Sequence, residues 1–169
     1  DGVTVGTIGG VVERSIKEAN LRPVVNLSGH EMKRYNLHAG LSIPNIDDGT
    51  LTKVRENMLL AIEPFATNGQ GQVSNGRSGN IYRVLRDRPL KDPDAERLFG
   101  RIKEEFTTLP FCERWCDRLQ PNSGPLLRVL LRHGVISTYP VLVEAKQGMV
   151  SQAEHTVLVG NGRNEITTA

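Results

Sequence analysis

The sequence predicts an α+β protein, a mainly β body interrupted by a small helical module. Three observations carry this. Near the start, Val5, Ile8, Val12, Ile16 and Ala19 recur every three or four residues, the period of a helix with one apolar stripe. Short apolar runs bounded by Gly, Pro, Asn and Asp follow and read as strands. From Pro93 the pattern turns helical, and strand signals return after it. The boundaries this gives are 1–89 for the first part of the body, 90–138 for the helical module and 139–169 for the return strands.

Each element has its own signal. The spacing predicts a turn at Asp1-Gly2 running into a helix over Val5 to Ala19, with Lys17 and Glu18 off the stripe. Val24-Val25 after Pro23 is extended, and Asn26 to Gly40, with its Gly, Asn, Ser and two His, mixes strand and loop. Pro44 and Asp47-Asp48-Gly49 mark a turn. Met58 to Phe65 reads as one buried strand, Asn68 to Gly79 as loop, and Asn80 to Leu85 as strand. Pro93 to Leu119 and Pro125 to Gly134 read as helical, joined by Pro121-Asn122-Ser123-Gly124. Asp94 is the expected cap of the first, and Leu98, Ile102 and Phe106 its apolar face. Leu126, Leu127, Leu130 and Leu131 face the core in the second, with Gly134 as its C-terminal stop. Val141 to Glu144 and Thr156 to Val159 are the closing strands.

Composition narrows the function classes. The chain has 169 residues, a net charge of +2, 38% hydrophobic and 24% charged residues, which suits one folded domain. The near-neutral charge argues against a dedicated nucleic-acid binder, and 5% aromatics against a stacking platform for single strands. No apolar run approaches the about 20 residues a membrane helix needs. Cys112 and Cys116 fall four apart in a stretch that reads as helix, poor spacing for a disulfide, and no second Cys or His pair completes a zinc site. They read as reduced thiols of a cytosolic protein. The chain starts at Asp1 rather than Met, with no leader pattern, so a processed or truncated product is expected.

Three places hold residues that could carry chemistry. Glu63 stands inside the apolar run Met58 to Phe65, where a carboxylate is costly unless paired or bound to a metal. Taken alone it also reads as a strand-end acid reaching water or an arginine. His30 and His38 each lie near a glycine, in Asn26-Leu27-Ser28-Gly29-His30 and Leu37-His38-Ala39-Gly40. Glu154 and His155 are adjacent, so on a strand they point to opposite faces and should not serve one site. Together His30, Glu63 and Glu154 offer one imidazole and two carboxylates from separate strands. A nitrogen and oxygen set without thiolate suits Mn, Fe, Co or Zn in a hydrolytic centre better than structural zinc.

These segments resemble the C-terminal part of type II methionine aminopeptidase, the archaeal and eukaryotic form. Asn26 to Gly40 resembles its Asn-Leu-x-Gly-His stretch leading to His-Ala-Gly, and Ala61 to Phe65 its Ala-Ile-Glu-x-Phe strand. Phe106 to Leu119 resembles the helical insert typical of type II, and Tyr139-Pro140 and Gln152 to Thr156 the closing segments. The resemblance implies the pita-bread fold, here its second half with the inserted helical subdomain. It implies removal of the initiator methionine from nascent proteins, with two divalent metal ions (Co, Mn, Fe or Zn) in the complete enzyme. His30, Glu63 and Glu154 match three of the five metal ligands. His38 matches the catalytic histidine that contacts the scissile carbonyl. Leu37, Pro110 and Tyr139, with His38, match substrate-binding positions around the methionine side chain.

Two aspartate ligands and a further catalytic histidine of that family match nothing in this chain; Asp47 and Asp48 lie after His38 and are not their counterparts. The resemblance therefore implies a partial site, weak or single-metal binding and little activity for these residues alone. The implied partners are peptide or nascent-protein N-termini beginning with Met, and the ribosome, with no membrane, no specific nucleic acid, a monomeric complete protein and a cytoplasmic location. The competing reading is a non-catalytic pita-bread homologue that binds the ribosome or nucleic acid. Arg114, Arg118, Arg128 and Arg132 on the insert serve such a partner or simply a solvated face. An X-Pro peptidase of the same fold is disfavoured, because Ala39-Gly40 follows His38 where that group has Glu and Pro.

Overall fold

A computed structural model describes residues 2–169. Asp1, and with it part of the expected Asp1-Gly2 turn, lies outside the described residues. The chain divides into two compact units, one of Asp1–Ser74 with Leu142–Ala169 and one of Asn75–Val141. No described helix is long and apolar enough to cross a membrane.

In the first unit, helix α1 (Val5–Glu18) forms where the apolar period places it. The Thr4 hydroxyl accepts the Thr7 backbone N–H and so caps its free N-terminal end. Val5, Val12 and Ile16 are buried, whereas Ala19 is the exposed C-cap rather than part of the stripe. Strands β1 (Arg22–Pro23), β2 (Ser28–Met32), β3 (Ser42–Pro44), β4 (Leu59–Ile62) and β5 (Phe65–Thr67) follow. After the second unit come β9 (Val150–Gln152), β10 (His155–Leu158) and β11 (Glu165–Ile166). They make a five-stranded antiparallel sheet of order β11-β10-β4-β2-β3 and a three-stranded one of order β1-β5-β9. Val5, Ile43, Val54, Leu60 and Val159 form the core beneath the larger sheet.

The run Met58 to Phe65 is not one strand. β4 ends at Ile62 in the larger sheet, and β5 starts at Phe65 in the smaller one. Pro64 has no N–H to give to a ladder, so the chain can change sheets there at little cost. The partner strand changes sheets at the same level: Ile62 pairs with His155 and Phe65 with Gln152. One register therefore runs through both sheets, and it sets Glu63 opposite Glu154.

The second unit is built on β6 (Val73–Val84), β7 (Phe111–Cys112) and β8 (Ile136–Glu144), in the order β7-β6-β8. Residues 73–79, expected as loop, are the first half of β6. Its polar, Gly-rich composition reflects a strand exposed along most of its length. Helices α2 (Pro93–Phe106), α3 (Glu113–Leu119) and α4 (Ser123–Arg132) complete the unit. The helical reading of Pro93 to Leu119 is thus interrupted at Thr107, whose φ of 55° stops α2. The cap of α2 is Asp92, not Asp94: its carboxylate accepts the N–H groups of Asp94 and Ala95. Cys112 lies in β7 at the head of α3 and only Cys116 inside the helix, so the two do not share a helical face. Both thiols are free. Gly134, at φ 64°, follows the C-cap His133 in the left-handed conformation that ends α4.

The interior of this unit is mainly apolar. Leu98, Phe99, Ile102, Leu127, Leu130 and Val135 are fully buried. Tyr82, Phe111, Phe106 and Trp115 stack in series at centroid distances of 5.7, 5.2 and 5.8 Å. Burial pushes the Cys116 thiol up to about 12.

Candidate metal centre

The junction between the two sheets of the first unit gathers the polar residues singled out in the sequence. β2 lies beside β4 with His30 opposite Ala61. On a strand, residues two apart share a face, so Glu63 stands on the same side as Ala61 and within reach of His30. That approach depends on Gly29. A Cβ there would come 2.2 Å from the Ala61 carbonyl oxygen and 3.1 Å from the Glu63 nitrogen, so any side chain would push β2 off β4.

His30 Nε2 lies 3.0 Å from Glu63 Oε1, with both side chains largely buried. The other Glu63 oxygen accepts from Gln152 Nε2 at 3.0 Å, and the same nitrogen is 3.3 Å from Glu154 Oε2. Burial pushes the Glu63 carboxyl above its usual range; the Glu154 charge adds to this, and His30 opposes it. The His38 ring sits 4.3 Å from that of His30, tilted by 59°, on the exposed loop between β2 and β3. His155 is directed elsewhere: its Nδ1 meets the Thr168 hydroxyl at 3.2 Å.

The structure thus brings together His30, His38, Glu63 and Glu154. Leu37 is half-buried in the same loop as His38. Pro110 and Tyr139 belong to the second unit, where the Arg83 guanidinium lies 5.6 Å over the Tyr139 ring. The residue that sequence reasoning passed over is Gln152. Its signal was strand alternation, which puts it on the face of Glu154 two positions on.

Among the described residues, no group of three or more His, Cys, Asp or Glu is arranged to hold a metal. The hydrogen bonds give the reason: His30 is turned to Glu63, and both acids are turned to Gln152. The donor types nevertheless fit a divalent cation. The set is nitrogen and oxygen only, and ligation of a cation would replace the direct His30–Glu63 contact.

No family model matches the chain. Individual proteins do. It is 42% identical to the methionine aminopeptidase of Methanocaldococcus jannaschii, over 98% of this chain and 56% of that protein. With the methionine aminopeptidase of Pyrococcus horikoshii it shares 44% identity, over 99% of this chain and 58% of that protein. The chain thus spans little more than half the length of these relatives. Among solved structures, a thermophilic Arx1 superposes with a TM-score of 0.68 at 18% identity, covering 93% of this chain and 43% of Arx1. Methionine aminopeptidase from Thermotoga maritima gives 0.55, also at 18%, over 98% of this chain and 42% of that one. The fold is therefore the α+β pita-bread fold of these proteins, and the chain belongs to the methionine aminopeptidase family.

Proposed function

We propose that this chain is the C-terminal part of a metal-dependent aminopeptidase that removes the initiator methionine from nascent proteins. The observation that carries the reading is the sheet junction, where two opposed carboxylates lie within hydrogen-bonding reach of a single amide and one of them lies 3.0 Å from an imidazole. His30, Glu63 and Glu154 would hold divalent metal, with Co, Mn, Fe and Zn all compatible with the donor set. Such a metal supplies Lewis acidity and a nucleophile from water near neutral pH. The protein's own residues do the rest. His38 donates a hydrogen bond to the substrate carbonyl oxygen as it gains charge, a contribution worth about 2.7–4 kcal/mol in comparable sites. A carboxylate of the cluster carries a proton to the departing amine. Leu37, Pro110 and Tyr139 match the family's substrate-binding positions, and apolar and aromatic side chains of this kind suit an unbranched thioether.

The family's remaining two ligands and second histidine match nothing in these residues, so this chain alone holds one cation, weakly, and turns over slowly. The whole protein works in the cytoplasm on N-termini beginning with Met, near the ribosome. A second reading, a non-catalytic binding protein, draws on the acids already being satisfied by His30 and Gln152.

Titration calorimetry with Mn²⁺ separates the two. The enzyme reading expects one site, abolished by Glu63→Gln and by Glu154→Gln. No heat of binding to the unaltered chain would favour the binding protein, and brisk cleavage of Met-Ala-Ser by these residues alone would refute the partial site.

A further inference from the structure

The geometry points to Gln152 as a positioning residue: its side-chain amide clamps Glu63 and Glu154 side by side, so that both carboxylates are in place before a cation arrives. This rests on reading the two acids as cation ligands. They stand opposite each other in one antiparallel register. Like charges placed so repel, and Glu154 is exposed, free to swing into solvent unless held. Gln152 Nε2 holds it, at 3.3 Å from Glu154 Oε2 and 3.0 Å from Glu63 Oε2.

The chemistry of the residue matches this task. A primary amide nitrogen carries two protons, one for each carboxylate. The flipped orientation would turn a carbonyl oxygen toward both acids, so the direction of donation follows from the surroundings. Lysine would add a charge that competes with a cation, glutamate would add a third repelling acid, and asparagine is one methylene shorter. The Gln152 backbone is fixed in β9 opposite Phe65, whereas both acids sit in the links between strands. The amide is thus carried by a paired strand, and the acids by the links beside it. An ionised carboxylate accepts at about four lone-pair sites, which leaves room for a cation beside the amide.

Gln152→Met keeps length and removes the donors; Gln152→Ala removes the side chain. For both, Mn²⁺ affinity measured by calorimetry should fall about 10–100-fold, the usual cost of losing a group that orients a ligand. The thermal midpoint of the chelator-treated chain should not move. The reverse pattern, a lower midpoint with unchanged affinity, overturns the inference and leaves the acids as ligands. An unaltered chain that takes up no Mn²⁺ overturns both readings. Should neither variant fold, nuclear magnetic resonance of the unaltered, cation-free chain decides. Slowed exchange of the Gln152 side-chain amide protons supports the clamp, and exchange at the free-solvent rate removes it.

Discussion

The interior of the second unit and the sheet junction of the first are held by opposite means. In the first of these, Leu98, Phe99, Ile102, Leu127 and Leu130 exclude water and stacked rings run from Tyr82 to Trp115. At the junction, polar groups satisfy one another across strands: an imidazole with a carboxylate, and an amide with two carboxylates. Burial is non-directional and scales with area, so it stabilises without fixing a particular atom. Hydrogen bonds add little net stability but fix positions closely. The contrast teaches that the apolar interior stabilises without carrying the chemistry, so damage there should leave the property of the junction untouched.

The sharpest break of that contrast is Phe99→Ala. Phe99 is fully buried, and its truncation should cost about 3–5 kcal/mol. Denaturant unfolding should show the loss, while Mn²⁺ affinity under native conditions stays unchanged. In Gly29→Ala the two losses should coincide. The added methyl meets the Ala61 carbonyl, and overpacking of this kind costs about 1–3 kcal/mol. Here cation affinity should fall as well, because His30 moves away from Glu63; retained affinity would show that the close strand approach is not what aligns them.

The smallest effect sharpens the comparison inside the first unit. Glu144 is buried, and its carboxylate accepts the backbone N–H groups of Gln70, Gly71, Lys146 and Gly148. Those bonds, with Gly148 foremost, hold its carboxyl below the ordinary value of 4.5, the opposite of Glu63 beside a second acid. A carboxyl lowered in the folded state binds fewer protons than in the unfolded chain. Its contribution to stability is therefore complete above pH 4.5 and fades as pH drops through the lowered value. Urea midpoints taken from neutral pH downward should decline less steeply in Glu144→Gln than in the unaltered chain; parallel curves would mean that the four amides do not hold the ionised form.

How much of this was legible in the sequence depends on whether a residue's neighbours along the chain are also its neighbours in space. Helix α1 was, because Val5, Val12 and Ile16 face one way by period alone. α4 was as well, with Leu127 and Leu130 inward and Gly134 past its end. The first half of β6 was not: its Ser, Asn and Gly residues lie on an exposed strand, where no alternation of apolar and polar marks the fold. The sheet change at Glu63-Pro64 was hidden too, since an apolar run looks the same whether it stays in one sheet or passes to another. In the site, the opposed orientations of Glu154 and His155 followed from alternation. Gln152 was passed over because an amide has no charge to flag it, and its role shows only when Glu63, far off in sequence, is seen beside it.

That remoteness has a kinetic side. Glu63 and Gln152 are 89 positions apart, and bringing such distant points together costs entropy that grows with the logarithm of the loop. The intervening stretch has its own core, and β6 and β8 lie side by side within it. Once that stretch collapses, its two ends are already adjacent and only a short loop is left to close. Formation of that stretch first would therefore lower the entropy cost of bringing Glu63 to Gln152.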